Sequence, residues 1–265
     1  MVHVLLVIDV FIPNADDTNR TNEIETALEY HTGTIWINYV LMGCEVKDEL
    51  ELSKKYIQKE KKDQEQEQEQ KQKHKNHQNQ NQTKITIVPH EKKQWTFQDM
   101  FYESHKYCTD TEIDLVIFSN IDVIFHPVCT TLEHIMCELN PDKPIMLALS
   151  RHDITQPVER DPQTKKHTRT FLHNLNPFFK CDSQDVWVLY RKHLPLLLND
   201  TLFFDYAMGQ PGCDNRLAYE VTRQDLFQVI NACHYISVVH LHLNNQGNNK
   251  PTVPPPYQLI HPLIK

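Results

Sequence analysis

The sequence predicts an α/β protein built on a mainly parallel sheet with helices on both faces, and three observations predict it. Apolar residues make up 40% of the 265-residue chain, enough to bury a sizeable core. They gather in short continuous runs, as strands covered on both faces require. Between the runs stand amphipathic or polar stretches of helical length, the alternation expected of strand–helix–strand units.

The elements follow in order. The first run, 2–10, is a buried strand. It is far short of the ~20 apolar residues that span a bilayer. It also lacks the basic start and small-residue cleavage site of a signal peptide, so a cytoplasmic chain without a membrane span is expected. A helix candidate at 21–31 leads to a second strand at 34–40, followed by a charged, helix-like stretch at 46–61. From 54 to 83 the composition changes. Its centre, KKDQEQEQEQKQKHKNHQNQNQ, holds no apolar residue and cannot offset the entropy of ordering, so a low-complexity insert is expected there. Such an insert costs little, because closure entropy grows only logarithmically with length. Strands are then expected at 84–88, 113–118, 145–149, 185–190 and 235–243. Helices are expected at 96–107, where Phe97 and Phe101 pair at i,i+4, at 127–139 and at 215–228. The whole reads as one domain, 1–265, with an amino-terminal half, 1–125, that carries the insert and a second half, 126–265.

Composition excludes several classes. A formal net charge of -8 discourages non-specific contact with nucleic acid. Seven cysteines at irregular spacing, with no CxxC, argue against a zinc knuckle or thioredoxin motif and for reduced thiols. Glycines number only five, and neither GxGxxG nor GxxxxGK(S/T) occurs, so the usual dinucleotide and P-loop sites are absent. Sequons at Asn19, Asn81 and Asn199 read as chance matches without a secretory signal.

Four segments carry candidate chemistry. In IDLVIFSNIDVIFHP, 113–127, a buried strand runs into Asn120 and Asp122. The carboxyl end of a parallel strand is where ligands of open α/β sheets bind. Asp122 can hold a divalent ion there, or simply cap the turn before the next apolar residues. In VVHLHLN, 238–244, His240 and His242 share one face of a strand at i,i+2, either as metal ligands or as ordinary polar-face residues. In GQPGCDNRLAYEV, 209–221, a turn precedes a helix whose entrance holds Asp214. Asp214 is an N-cap or a general base, and Arg216 meets phosphate or pairs with Glu220 at i,i+4. In CDSQDVWVLY, 181–190, polar residues lead into a strand carrying Trp187, either a core indole or a face for a sugar ring.

In their order, SNIDVIF, SRHD, SQDVWVLY, QPGCDNRLAYEV and HLHLN resemble glycosyltransferase-like proteins of the GT-A type found in bacteria, algae and large DNA viruses. NRTNEI near the amino terminus and TFQDMFYES resemble the same pattern, so the similarity spans nearly all of the chain except the insert. The resemblance implies a GT-A-like, Rossmann-like fold with a nucleotide-binding half followed by an acceptor half. It implies transfer of a sugar from a nucleotide-sugar to an acceptor hydroxyl, with inversion and assistance from Mn²⁺ or Mg²⁺. Asp122 and either His240 or His242 would be the metal ligands, and Asp214 the base. Arg20 and Asn22 would lie near the nucleotide, Asn120 near ribose or sugar, Arg151 at the diphosphate or donor sugar, and Asp185 and Trp187 along the pocket. Asn120 stands where the D-x-D pattern has its first carboxylate. Two rivals remain at this point: a metal-dependent hydrolase of nucleotide-sugars or phosphoesters, and a non-catalytic protein that binds carbohydrate or nucleotide.

Overall fold

A single strand, β1 (Val4–Val10), is the axis about which the chain is organised. The computed structural model describes residues 2–10, 17–32, 37–57, 83–126, 132, 134–136, 143–156, 183–241 and 251–263. On one side β1 pairs in parallel with β2 (Tyr39–Glu45), which pairs in parallel with β3 (Lys84–His90). On its other side lies β4 (Leu115–Ser119), also parallel. The small sheet's strands β5 (Val123–His126) and β7 (His152–Asp153) flank β6 (Ile145–Ser150) in the chain. Strand β8 (Gln184–Tyr190) runs antiparallel between β4 and β6, and β9 (Gln228–Ile230) closes the edge parallel to β6. The order is β3-β2-β1-β4-β8-β6-β9.

Both faces are covered. Val4, Leu6 and Ile8 point into one core and Leu5 and Val7 into the other, the period-two alternation of a strand. Ile24 and Leu28 of α1 (Thr18–Thr32) and Leu52 of α2 (Val46–Leu52) cover the first face. The second is covered by Phe97, Met100 and Phe101 of α3 (Phe97–Cys108), by Leu194 and Leu197 of a 3₁₀ helix (Arg191–Leu198), and by Leu217, Ala218 and Val221 of α4 (Cys213–Arg223). This is the α/β class with helices on both faces that the sequence predicts. Each of the Val, Leu, Ile, Phe and Met side chains among them contributes ~1.5–3 kcal/mol by its removal from water.

Differences from expectation have local causes. The second strand, expected at 34–40, is described at Tyr39–Glu45 and continues through Gly43, and 34–36 lie outside the described residues. A Cβ at Gly43 would meet the Trp95 ring at 2.5 Å, so the glycine marks the close approach of an indole and not a strand end. The charged stretch from 46 stays helical only to Leu52 and closes with a π turn, Ser53–Ile57. Of the insert expected at 54–83, residues 58–82 lie outside the described residues, as does most of the helix expected at 127–139, while 54–57 belong to the π turn. The helix expected at 215–228 starts earlier, at Cys213, and stops at Arg223, with Asp225 at φ 56 turning the chain into β9. Helix α3 begins as a capping box, Thr96 accepting from the Asp99 amide and Asp99 from the Thr96 amide.

A second, three-stranded sheet positions the site. Strand β10 (Ser237–His240) lies between β5, antiparallel to it, and β7, parallel to it. His240 is thereby opposite Val123 on one side and Asp153 on the other. Cys44, Cys108, Cys213 and Cys233 are buried free thiols. Among the described residues no helix is long and apolar enough to cross a membrane.

Candidate functional site

The carboxyl end of β4 opens into a turn that presents Asn120 and Asp122, and two neighbouring elements close on them. Asp17 caps α1 by accepting from the Arg20 amide at 3.0 Å, which fixes Arg20 in the first helical turn. From there the Arg20 guanidinium reaches Asp122 at 2.5 Å and Glu23 at 3.1 Å. From the small sheet, His240 Nε2 lies 3.1 Å from the same Asp122 oxygen, Oδ2, and its Nδ1 lies 3.4 Å from Asp153. The Leu241 amide donates to the Asp122 carbonyl at 2.9 Å and locks strand to turn.

The network continues without a break. Arg151 Nε donates to Asp153 at 3.0 Å, and Arg151 Nη1 pairs with Asp185. Asp185 also accepts from the Asn120 side-chain amide at 2.7 Å, while its carbonyl accepts from the Asn120 backbone at 3.2 Å. A register shift between Leu149 and Ser150 precedes Arg151, the kind of irregularity that re-aims a side chain at a sheet rim. Glu23, Arg20, Asp122, His240, Asp153, Arg151, Asp185 and Asn120 thus form one chain of charge-assisted contacts drawn from α1, both sheets and the β4 turn.

Electrostatics separate the members. Burial would raise the Asp122 pKa, but His240 and Arg20 outweigh it and hold the carboxyl well below its usual range. Burial likewise acts to lower His240, yet Asp122 and Asp153 carry it up to about 9. Asp214 goes the other way. Burial, and then the nearby Asp185 carboxylate, push it well above the usual range, with Cys213, Arg151 and the Gln184 backbone offsetting only part. Asp214 is not the helix cap. Gly212, at φ 81, occupies that position, and Asp214 sits inside the first turn.

The residues singled out in the sequence fall into three groups. Arg20, Asn120, Asp122, Arg151, Asp185 and His240 are joined in the network, and Asp214 lies within electrostatic reach of Asp185 and Arg151. Asn22 is half-buried on α1, and among the described residues no side-chain bond joins it to this cluster. Trp187 stands apart. It is 0% exposed, packed with Phe118 and Ala148 as cross-strand neighbours, and its indole donates to the Gln184 carbonyl at 3.1 Å. A wholly enclosed indole offers no face to a sugar, so Trp187 belongs to the core and not to a pocket wall. His242 lies outside the described residues. Of the two readings of Arg216, the pairing with Glu220 is made, at 2.6 Å, and its remaining donor reaches the Pro254 and Pro255 carbonyls.

Glu23, Asp153 and Cys213 are contributors the sequence did not single out. Asp153 stands two residues after Arg151 in SRHD, but only the β7–β10 pairing brings it to His240. Among the described residues no three His, Cys, Asp or Glu side chains are grouped to hold a metal ion. Asp122 and His240 supply one carboxylate and one imidazole, a set that suits a divalent ion only if substrate oxygens complete it.

No protein-family model and no curated protein matches the sequence. Among solved structures, the chain is similar to a 4-diphosphocytidyl-2C-methyl-D-erythritol synthase from Anaerococcus prevotii DSM 20548, with 12% identity, a TM-score of 0.41 and 87% of each chain covered. It is also similar to S. aureus TarS 1-349, with 10% identity and a TM-score of 0.44, covering 89% of this chain and 60% of that one. Likeness at this level identifies no activity.

Proposed function

We propose that this chain is a glycosyltransferase that moves a sugar from a nucleotide-sugar to an acceptor hydroxyl with inversion. The observation that supports this most is the pairing of one ion network rich in guanidinium groups with a separate carboxylate, Asp214, whose proton affinity is raised. A base of raised basicity beside cations aimed at an anion is what acyl-free group transfer to a hydroxyl needs.

In this reading Asp214 takes the proton of the acceptor hydroxyl. The acceptor oxygen bonds to the anomeric carbon as the bond from that carbon to the diphosphate oxygen breaks. Negative charge then grows on the leaving nucleoside diphosphate, and Arg20 and Arg151 are the cations that compensate it. Asn120 and Asp185 hold Arg151 in place, and Asn22 extends the nucleotide side along α1. Asp122 and His240, with His242 as the alternative imidazole, would hold Mn²⁺ or Mg²⁺, which when bound supplies Lewis-acid neutralisation of the diphosphate.

A thermal-shift screen of nucleoside diphosphates and nucleotide-sugars, with and without Mn²⁺, tests the proposal. A ligand that binds only the native state raises the melting temperature by mass action. The expected result is a shift for one nucleotide series, enlarged by Mn²⁺ and lost in Arg151→Ala. No shift with any nucleotide would refute the reading.

A further inference from the structure

We infer that Cys213 is a positioning residue for Asp214: its thiol holds Oδ1 of the carboxylate and so orients the group that receives the acceptor's proton. This rests on Asp214 being the base proposed above. Four observations carry it. The thiol is buried, at 1% exposure, so it is shielded from reagents and from the role of nucleophile. Its Sγ lies 3.4 Å from Asp214 Oδ1 with the S–H donating. The same sulfur takes a backbone hydrogen bond from Gly209, a second contact that fixes it. Finally, both glycines of the turn, Gly209 at φ 77 and Gly212 at φ 81, adopt the left-handed conformation, which lets the chain turn into the helix start that carries Cys213 and Asp214.

The chemistry explains why a thiol suits this place. Burial and the adjoining Asp214 push the Cys213 thiol well above its ordinary range, so the hydrogen it donates stays on sulfur. A thiol is a weak donor. It can fix the rotamer of the carboxylate while draining little of its basicity, whereas a hydroxyl at the same place would stabilise the anion more strongly. The other groups that face Asp214 are Asp185 and the Gln184 backbone on β8, Arg151 after β6, and Tyr206 from the loop before α4. Asp185 raises the affinity of Asp214 for a proton and Arg151 lowers it. The thiol is a contact contributed from its own helix.

The test is a pH titration of the Asp214 side-chain carboxyl carbon by NMR, using ¹³C-aspartate-labelled full-length protein, in the wild type, Cys213→Ser and Cys213→Ala. The signal is assigned by its loss in Asp214→Asn, and melting temperatures are recorded alongside. The expected midpoints rise in the order Ser, wild type, Ala. Three equal midpoints, or an order that follows melting temperature alone, would overturn the inference. Transfer assays separate its failure from that of the base itself. If Asp214→Asn is inactive while the midpoints coincide, only the role of Cys213 falls. If Asp214→Asn transfers as well as the wild type, the base assignment falls and this inference with it.

Discussion

Asp122, buried, and Asp214, half-buried, lie at the rim of one sheet, yet their surroundings drive them in opposite directions. Asp122 follows β4 and lies between a guanidinium and an imidazole, at 2.5 and 3.1 Å, so its charged form is favoured despite burial. Asp214 sits in the first turn of α4, where burial and the Asp185 carboxylate favour its protonated form, and Arg151 recovers only part of that. The same side chain is thus tuned for a fixed negative charge in one place and for proton uptake in the other. Environments that push two titratable groups apart are the usual basis for assigning one to binding and one to acid–base work.

The largest predicted effect breaks the contrast on the Asp214 side. Asp214→Asn keeps the shape of the side chain and removes its basicity. Sugar transfer should fall by ~10²–10⁴-fold, the usual contribution of a general base, with nucleotide affinity little changed. Steady-state kinetics and calorimetric titration of the diphosphate read the two quantities separately. On the other side, Asp122→Ala strips Arg20 and His240 of their shared carboxylate. Leaving buried cations without that partner should cost about 3 kcal/mol of stability, read from urea unfolding, and should abolish any Mn²⁺-dependent gain in nucleotide affinity. Wild-type transfer in the first variant, or wild-type stability in the second, would contradict the assignment.

A pair of histidines sharpens the same lesson. His240, between two carboxylates, is carried up to about 9, whereas His31, fully enclosed and bonded to the Val123 carbonyl at 2.7 Å, is lowered by burial to about 4. The unfolded chain takes up a proton at His31 below its ordinary value near 6.5, and the native state does so only near 4. The His31 contribution to stability is therefore complete above about pH 6.5 and is lost as the pH falls towards 4, by about 3 kcal/mol in all. Urea midpoints at pH 7.5 and 4.5 should converge in His31→Gln relative to the wild type. An equal pH dependence in both proteins would show that His31 is not held neutral. The smallest effect is a control outside the site. Gly43→Ala places a Cβ against the Trp95 ring and should cost ~1–3 kcal/mol while leaving both aspartates as they are.

What the sequence made legible follows from how each residue is carried. Asp122 ends an apolar run, and Asp214 sits where a turn gives way to a helix. Both can be located by pattern, because ligands of α/β sheets gather at those ends. His240 lies within the last apolar run, 235–243, where pattern alone leaves it and His242 as alternatives. Trp187 misleads for a physical reason. Polar residues before a strand look the same whether the indole after them lines a pocket or fills a core, and here cross-strand neighbours Phe118 and Ala148 enclose it. Asp153 was hidden because its value lies in a partner 87 positions away along the chain, brought close only by the second sheet, and Glu23 because its partner Arg20 gains its meaning only from Asp122, 102 positions from Arg20. The second strand, expected at 34–40, runs on to Glu45, and its passage through Gly43 under the Trp95 indole is a contact that no local pattern announces.

The opposed tuning of Asp122 and Asp214 can be read directly by following their carboxyl carbons by NMR from pH 2 to 9, each assigned through its asparagine variant. The structure predicts two separated transitions, with Asp122 releasing its proton below the ordinary aspartate range and Asp214 above it. Two transitions inside that ordinary range, or an Asp214 that ionises before Asp122, would contradict the account.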